Sequence, residues 1–239
     1  MARGRPRHEA RGGQVTRLAT GAELRTTGAG AEAAVVCLNG GQGRLVDGNW
    51  GATVEWLVAR LSRRLPELTF GEVRYRVKSW KRLDWCREDA EAAIRELGAS
   101  RTILLGFSMG GAVAISAAED ESVEAVVGLA PWIPDGLDLG PLAGRELVVL
   151  HGTLDRWFPG IPGVSAKISQ RGFDRSRELG VVGRYVLIPG AVHGVALRSP
   201  FGGLVTLPRA DRWAELLEVE LRRLTGVPSA SGDAVELAR

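Results

Sequence analysis

One short stretch of this chain combines residue types that suit nucleophilic chemistry, the sequence GFSMG at 106–110. The apolar run at 102–105 before it is typical of a buried strand, and the alanine-rich segment 112–118 after it suits a helix packed closely on a sheet. Glycines on both sides of Ser108 would avoid collisions in a sharp, strained strand-to-helix turn that exposes the serine hydroxyl. The pattern predicts that Ser108 is a nucleophile, the alternative being a glycine-rich turn with an incidental serine.

A serine hydroxyl is a weak nucleophile and needs a base within hydrogen-bonding distance. The chain has three histidines that could supply one. His8 lies near the N-terminus, and His151 closes a predicted strand at 146–150, where we interpret it as a packed structural residue. His193 follows the last predicted strand, at 185–188, in a loop that can reach the serine. We therefore expect His193 to be the base.

A carboxylate is needed to hold the histidine in the right tautomer and to stabilise its charged form. Asp155 follows the strand at 146–150 on the expected edge of the sheet and precedes His193 in the chain. Asp135 and Asp138 follow the preceding predicted strand and remain alternatives. The order serine, aspartate, histidine along the chain favours Asp155.

The oxyanion of an acyl-transfer intermediate needs two N–H donors. We predict that Met109 provides one, because it follows the expected nucleophile at the start of a helix. The second donor is expected from the glycine-rich loop after the predicted strand at 33–38, with Gly41 preferred and Gly40 beside it. The alternative is that this loop is merely flexible.

Four of the seven tryptophans fall in predicted loops that follow strands: Trp50, Trp80, Trp132 and Trp157. Large apolar side chains at that edge of a sheet are suited to the wall of a substrate pocket. We assign Trp80, Trp132 and Trp157 to substrate binding. The alternative is that these tryptophans seal loops onto the domain.

Predicted strands alternate with predicted helices along the chain. This alternation indicates an α/β fold with a doubly wound, mostly parallel sheet and helices on both faces. In such sheets ligands bind outside the carboxyl ends of the strands, which is where the candidate residues fall. We expect one domain at 14–226, starting with a small hairpin, between a disordered basic tail at 1–13 and a flexible tail at 227–239. The only internal insertion long enough to cover the site is 156–180.

Composition excludes several classes of function. The chain is 45% apolar and 25% charged, and its net charge of +3 comes partly from arginines near the N-terminus, so we expect no nucleic-acid surface on the folded part. Cys37 falls in a strand-like run and Cys86 in a helix-like run, so neither a disulfide framework nor a metal site is predicted. We see no signal-peptide pattern and no membrane-spanning run, and we expect a soluble cytoplasmic protein.

Three motifs, GFSMGG at 106–111, HGTLD at 151–155 and GAVH at 190–193, occur in this order and resemble those of the α/β-hydrolase superfamily. Within it the chain is most similar to small bacterial esterases related to dienelactone hydrolases, over about residues 33–225. The resemblance implies a serine esterase with a small acyl substrate, a covalent acyl-enzyme and no metal or organic cofactor. An acyltransferase or cofactor-free perhydrolase with the same triad, and a non-catalytic binding module on this fold, remain alternatives.

Two features of the chain bear on that resemblance. Many members of the superfamily have His-Gly after the third strand, where this chain has Asn39 and Gly40. The segment between the predicted strands at 123–129 and 146–150 is too short for the helical lid of lipases, so no large lid is expected. Neither the physiological substrate nor the oligomeric state follows from the sequence.

Overall fold

The computed structural model describes residues 13–30, 33–155 and 163–228. Within them, the main sheet consists of β1 Gln14–Arg17, β2 Glu23–Thr27, β3 Ala33–Leu38, β4 Leu68–Arg74, β5 Thr102–Phe107, β6 Val123–Leu129, β7 Glu146–Gly152 and β8 Val182–Ile188. The α-helices in the same residues are α1 Ala52–Leu61, α2 Leu83–Leu97, α3 Met109–Ser116, α4 Ala166–Glu178 and α5 Ala210–Thr225. A separate antiparallel hairpin consists of β9 Ala196–Arg198 and β10 Leu204–Thr206.

The main sheet has the strand order β1-β2-β4-β3-β5-β6-β7-β8. Strands β3 to β8 run parallel, while β1 and β2 are antiparallel at one edge. The predicted doubly wound, mostly parallel sheet is therefore confirmed, as is the predicted hairpin at its start. Because β4 and β5 lie on opposite sides of β3, the winding reverses there, and a crevice forms at the carboxyl ends of β3 and β5.

Helices cover both faces of the sheet. Successive residues of a strand point to opposite faces, so Val36 and Leu38 of β3 pack in one buried cluster with residues of α2, α3 and α4. Val35 and Cys37 pack in the other cluster with residues of α1 and α5. Each fully buried Val, Leu, Ile or Phe side chain is worth about 1.5–3 kcal/mol. These two apolar layers therefore hold the sheet edge, and the loops on it, in place.

The strand after α1 differs from the sequence prediction. Alternating residues predict it at 72–77, whereas β4 begins four residues earlier, at Leu68, and ends at Arg74. The first residues of β4 pair with β3, with Ala33 opposite Leu68 and Val35 opposite Phe70. This pairing with a strand distant in sequence sets the boundary, and local alternation does not reveal it.

The loops contain two further differences and one confirmation. The hairpin β9–β10 was not predicted, because strands of three residues are too short to show alternation. Between β6 and β7 there is only a short 3₁₀ turn at Gly140–Leu142, so no helical lid lies there. In the segment 156–180, α4 packs on the sheet through Phe173, while 156–162 and most of both predicted tails lie outside the described residues. No described helix is long and apolar enough to cross a membrane.

Candidate active site

Ser108 lies at the sharp turn between β5 and α3. Its backbone has φ 55° and ψ −119°, a conformation that is rare for a residue with a side chain. Hydrogen bonds on both sides stabilise the turn: Ser108 N donates to Leu129 O at 3.0 Å, and Ser108 O accepts from Trp132 N at 2.8 Å. Strain of this kind costs about 1–3 kcal/mol and persists only where the surroundings enforce it.

The glycines of the GFSMG pattern are required by close backbone packing. A Cβ atom on Gly106 would lie 2.3 Å from the carbonyl oxygen of Gly110. A Cβ atom on Gly110 would lie 2.2 Å from the carbonyl oxygen of Leu38, in the neighbouring strand β3. Backbone cannot move away as a flexible side chain can, so any larger residue would push α3 off the sheet and displace Ser108.

Asp155 and His193 are hydrogen-bonded to each other. His193 Nδ1 lies 2.7 Å from Asp155 Oδ2, and the Asp155 side chain is fully buried. Burial alone would raise the pKa of Asp155, but hydrogen bonds and charge interactions with His151 and His193 outweigh it, so that the pKa lies below its ordinary value. Asp155 is therefore a carboxylate at neutral pH and can hold the Nδ1 proton of His193.

Ser108 and His193 line the same cavity, which has a volume of about 320 Å³. Its walls are formed by Asn39, Gly40, Gly41, Asn49, Trp50, Gly51, Ala52, Thr53, Lys78, Phe107, Ser108, His193, Ala196, Leu197 and Arg198. The His193 ring packs against Phe107, with the ring centroids 4.9 Å apart. The structure thus brings the expected nucleophile and base to one cavity, although they do not form a hydrogen bond to each other; such bonds are often longer in the absence of substrate.

The loop after β3 packs directly on the turn that holds Ser108. A Cβ atom on Gly40 would lie 3.3 Å from Ser108 Cβ, and one on Gly41 would lie 2.1 Å from Met109 Sδ. Met109 is the first residue of α3, where backbone N–H groups lack partners within the helix. The three expected oxyanion-hole residues therefore lie at the turn, with Gly40 against Ser108 and Gly41 against Met109, and their roles as donors remain a prediction.

Two of the three tryptophans that were assigned to substrate binding, Trp80 and Trp132, do not line this cavity. Trp80 and Trp132 pair with each other, with ring centroids 6.5 Å apart, and Trp157 lies outside the described residues. Trp50 lines the cavity instead. The guanidinium groups of Arg25 and Arg74 lie 4.5 and 5.6 Å from its ring centroid. Sequence reasoning placed Trp50 in the same class of loop but had no means of selecting it.

Two cations on the cavity wall were also missed. Lys78 Nζ donates to Asn49 Oδ1 at 2.7 Å, and burial lowers the pKa of Lys78. Arg198, on β9, pairs with Glu55 at 2.7 Å. Both residues lie in connecting segments that bear no motif, and only the folded chain brings them to the cavity.

The alternative acids do not contact His193. Asp135 is exposed and pairs with Arg171 at 3.3 Å, and Asp138 accepts a hydrogen bond from Gly140 N. His151 is fully buried, in line with a packed histidine, but it also contacts Asp155, which sequence reasoning did not reveal. Among the described residues, no group of three or more His, Cys, Asp or Glu side chains is arranged to hold a metal ion.

Solved structures similar to this chain were found, although no family model and no curated protein matches it. A thermophilic esterase from Thermogutta terrifontis, with butyrate bound, is 17% identical, covers 93% of this chain and 97% of its own, and has a TM-score of 0.64. A serine hydrolase homologue from Coxiella burnetii is 18% identical, covers 90% of this chain and 100% of its own, and has a TM-score of 0.61. A sugar hydrolase from Lactococcus lactis is 16% identical, covers 88% of this chain and 97% of its own, and has a TM-score of 0.66. At these identities the likeness establishes the α/β-hydrolase fold.

Proposed function

Starting from the α/β-hydrolase fold, we propose that this chain is a serine hydrolase that cleaves carboxylic esters or related small acyl compounds through a covalent acyl-enzyme. The observation that carries the proposal is the arrangement at one cavity: a strained serine at a strand-to-helix turn, and a histidine bonded at 2.7 Å to a buried carboxylate. The names of two similar structures, an esterase and a serine hydrolase homologue, agree with this chemistry.

The proposed reaction depends on which nitrogen of the His193 ring carries a proton. Because the Nδ1–H group of His193 donates a hydrogen bond to Asp155, Nε2 is free of a proton and can take the proton of Ser108 as the serine oxygen attacks the acyl carbon. Backbone N–H groups of Met109 and Gly41 would stabilise the oxyanion. His193 then protonates the leaving alcohol, and afterwards removes a proton from the water that releases the acid.

The cavity suits a small acyl group. Its volume of about 320 Å³ lies at the low end of ligand sites. Trp50 and Leu197 provide apolar walls on it, while Lys78 and Arg198 make part of it polar. A short acyl chain with a modest alcohol therefore matches the site better than a long lipid chain.

Labelling with a phosphonate tests the proposal directly. A p-nitrophenyl phosphonate ester mimics the tetrahedral intermediate, and we expect one adduct per chain, located on Ser108 by peptide mass measurement. The Ser108→Ala variant is the control and should neither bind the label covalently nor release p-nitrophenol from acyl esters above background. An adduct on another residue, or full hydrolysis by Ser108→Ala, contradicts the proposal.

A further inference from the structure

Asp155 also contacts a chain of polar side chains that the proposed reaction does not use. His151 Nε2 lies 3.0 Å from Asp155 Oδ2, the same oxygen that His193 contacts. His151 Nδ1 lies 2.7 Å from Ser169 Oγ, which in turn lies 2.9 Å from the Tyr185 hydroxyl. His151 and Ser169 are completely buried. We call His151, Ser169 and Tyr185 the buried chain.

The neighbours of His151 determine which of its nitrogens carries a proton. Nε2 faces two acceptors, the carboxylate oxygen of Asp155 at 3.0 Å and the carbonyl oxygen of Val164 at 2.9 Å. Neither of these groups can donate when Asp155 is ionised, so Nε2 must be the donor. Nδ1 faces a hydroxyl, which can donate or accept. The Nε2–H group therefore donates to Val164 O and lies beside Asp155 Oδ2 whether the ring is neutral or charged.

The carboxylate of Asp155 has two hydrogen-bond donors and a third N–H group beside it. Its Oδ1 accepts from the backbone N–H of Val164 at 3.1 Å, its Oδ2 accepts from His193 at 2.7 Å, and His151 Nε2 lies 3.0 Å from the same Oδ2. The N–H groups of two imidazole rings thus lie close to one oxygen. The second N–H group near Oδ2 draws on the same negative charge, and so weakens the stabilisation that this oxygen gives to a protonated His193 ring.

This arrangement depends on the fold as well as on the HGTLD motif. The motif places His151 at the end of β7 and Asp155 four residues later. Ser169 comes from α4 and Tyr185 from β8, so two other elements set the orientation of the His151 ring. Both hydroxyls also contact the carbonyl oxygen of Ala166, at 3.1 and 3.0 Å, which fixes the buried chain to the start of α4.

We propose that His151 is a positioning residue of the site: it fixes the carboxylate of Asp155 and limits how strongly that carboxylate supports His193 as the base. This rests on the proposed function, in which His193 is the base. Among the described residues, the titratable groups near His151 are Asp155, His193 on the other side of Asp155 Oδ2, and Tyr185 through Ser169. Burial raises the pKa of Tyr185, with Asp174 and Asp155 adding to that effect, so the phenol is neutral in the working range.

The experiment compares two substitutions of His151. His151→Leu removes the donor, and His151→Gln keeps an N–H group near the position of Nε2. Initial rates are measured against pH with p-nitrophenyl butyrate, and active sites are counted with the phosphonate so that misfolded protein does not enter the rates. Replacing the residues that orient metal-binding side chains costs about 10–100-fold. By analogy, we expect a loss of kcat of that order in His151→Leu, with partial recovery in His151→Gln.

The pH profile separates a positioning role from a merely structural one. Without the second donor, Oδ2 stabilises the protonated His193 ring more strongly, so the acidic limb of kcat/KM should move to higher pH in His151→Leu. His151→Gln should return the limb towards its wild-type position. If His151 were needed only for packing, its replacement would lower the fraction of protein that the phosphonate labels. The acidic limb of the pH profile would stay at its wild-type position.

A matched pair of serines on α4 provides the control. Ser169 contacts His151, whereas Ser176 is equally buried and donates to the carbonyl oxygen of Phe173. Ser169→Ala should shift the limb in the same direction as His151→Leu but by less, and Ser176→Ala should not shift it. Equal profiles for the two serine variants contradict the role of the buried chain.

One measurement on the unmodified protein does not depend on how the variants fold. With nitrogen-15 in the histidine rings, NMR at pH 7 should show His151 with a proton on Nε2. A bare Nε2, or a His151→Leu profile that superimposes on the wild type, overturns the proposal. Failure of the phosphonate to label wild-type Ser108 would instead contradict the proposed function itself, so the two failures can be told apart.

Discussion

At the scale of single residues, the site depends on two side chains that are held in costly states. Ser108 has a positive φ, and hydrogen bonds from the turn enforce it. Asp155 carries a charge in a buried position, and N–H donors on both of its oxygens stabilise that charge. The surrounding residues are therefore arranged to hold these two side chains, and replacing either one leaves that arrangement without its function.

The substitution Asp155→Asn tests the role of the carboxylate. The amide can present an N–H group to His193 and so favour the tautomer with its proton on Nε2, which cannot accept the proton of Ser108. We expect kcat for p-nitrophenyl butyrate to fall by up to about ten-thousandfold. The circular dichroism spectrum should stay that of the wild type, which shows that the variant still folds. Near-normal turnover in this variant, with loss in Asp135→Asn or Asp138→Asn, would transfer the role to another acid.

At the scale of elements, the hairpin β9–β10 joins the base to one wall of the cavity. It begins three residues after His193, and Thr53 of α1 fixes its start through Ala196 O and Val195 N, each at 3.3 Å. Gly194 has φ +85°, and a Cβ atom there would lie 2.6 Å from Thr53 Oγ1. The position of His193 and the shape of the cavity are therefore coupled through one connection.

Leu197 of this hairpin should limit the length of the acyl chain. A further buried methylene is worth about 0.8 kcal/mol, or about fourfold in kcat/KM, until the chain leaves the cavity. We expect kcat/KM for p-nitrophenyl esters to rise over the first few carbons and then to level or fall. In Leu197→Ala the maximum should move to a longer chain, because the wall is shortened.

Val205 provides the control for that experiment. It lies opposite Leu197 in the hairpin but does not line the cavity, so Val205→Ala should leave the preferred chain length unchanged.

We also expect no increase in activity when substrate passes from solution to emulsion, since no lid was found in the described residues. A steady rise to long chains with interfacial activation would reveal a covered lipid groove.

At the scale of the whole molecule, the site contributes to the dependence of stability on pH. The pKa of Asp155 in the folded chain lies below its ordinary value of 3.8. A depressed pKa means that the unfolded chain binds more protons, so the stabilisation is present above about pH 4 and is lost as pH falls through the folded pKa. Glu72 and Asp89 act in the opposite sense, because burial raises the pKa of each.

Urea unfolding as a function of pH tests this sign. The free energy of unfolding of the wild type should exceed that of Asp155→Asn at pH 6, and the difference should shrink as pH falls below about 4. Asp135 is a suitable control, because its side chain is 67% exposed and pairs only with Arg171 among the described residues. Asp135→Asn should differ little from the wild type at any pH, and a constant gap for Asp155→Asn would contradict the assignment.

Local sequence was sufficient for the features that depend on neighbouring residues. The GFSMG pattern indicates a strand-to-helix turn, because only glycine fits where Gly106 and Gly110 meet the backbone of adjacent segments. The alternation of strands and helices indicates the doubly wound sheet, and that prediction is confirmed. The positions of Ser108, Asp155 and His193 after their strands follow from the same order, while their catalytic roles remain predictions.

Tertiary structure alone decided which side chains meet across the sheet edge. Trp50, Lys78 and Leu197 reach one cavity from three separate connections, and the contact of His151 with Asp155 has its geometry set by α4 and β8. No periodicity encodes such contacts, because a loop's path depends on the elements that it joins and packs against. The sequence by itself determined which reactive side chains follow the strands at the carboxyl edge of the sheet. The packing of helices and loops around that edge determined which of these side chains share one cavity.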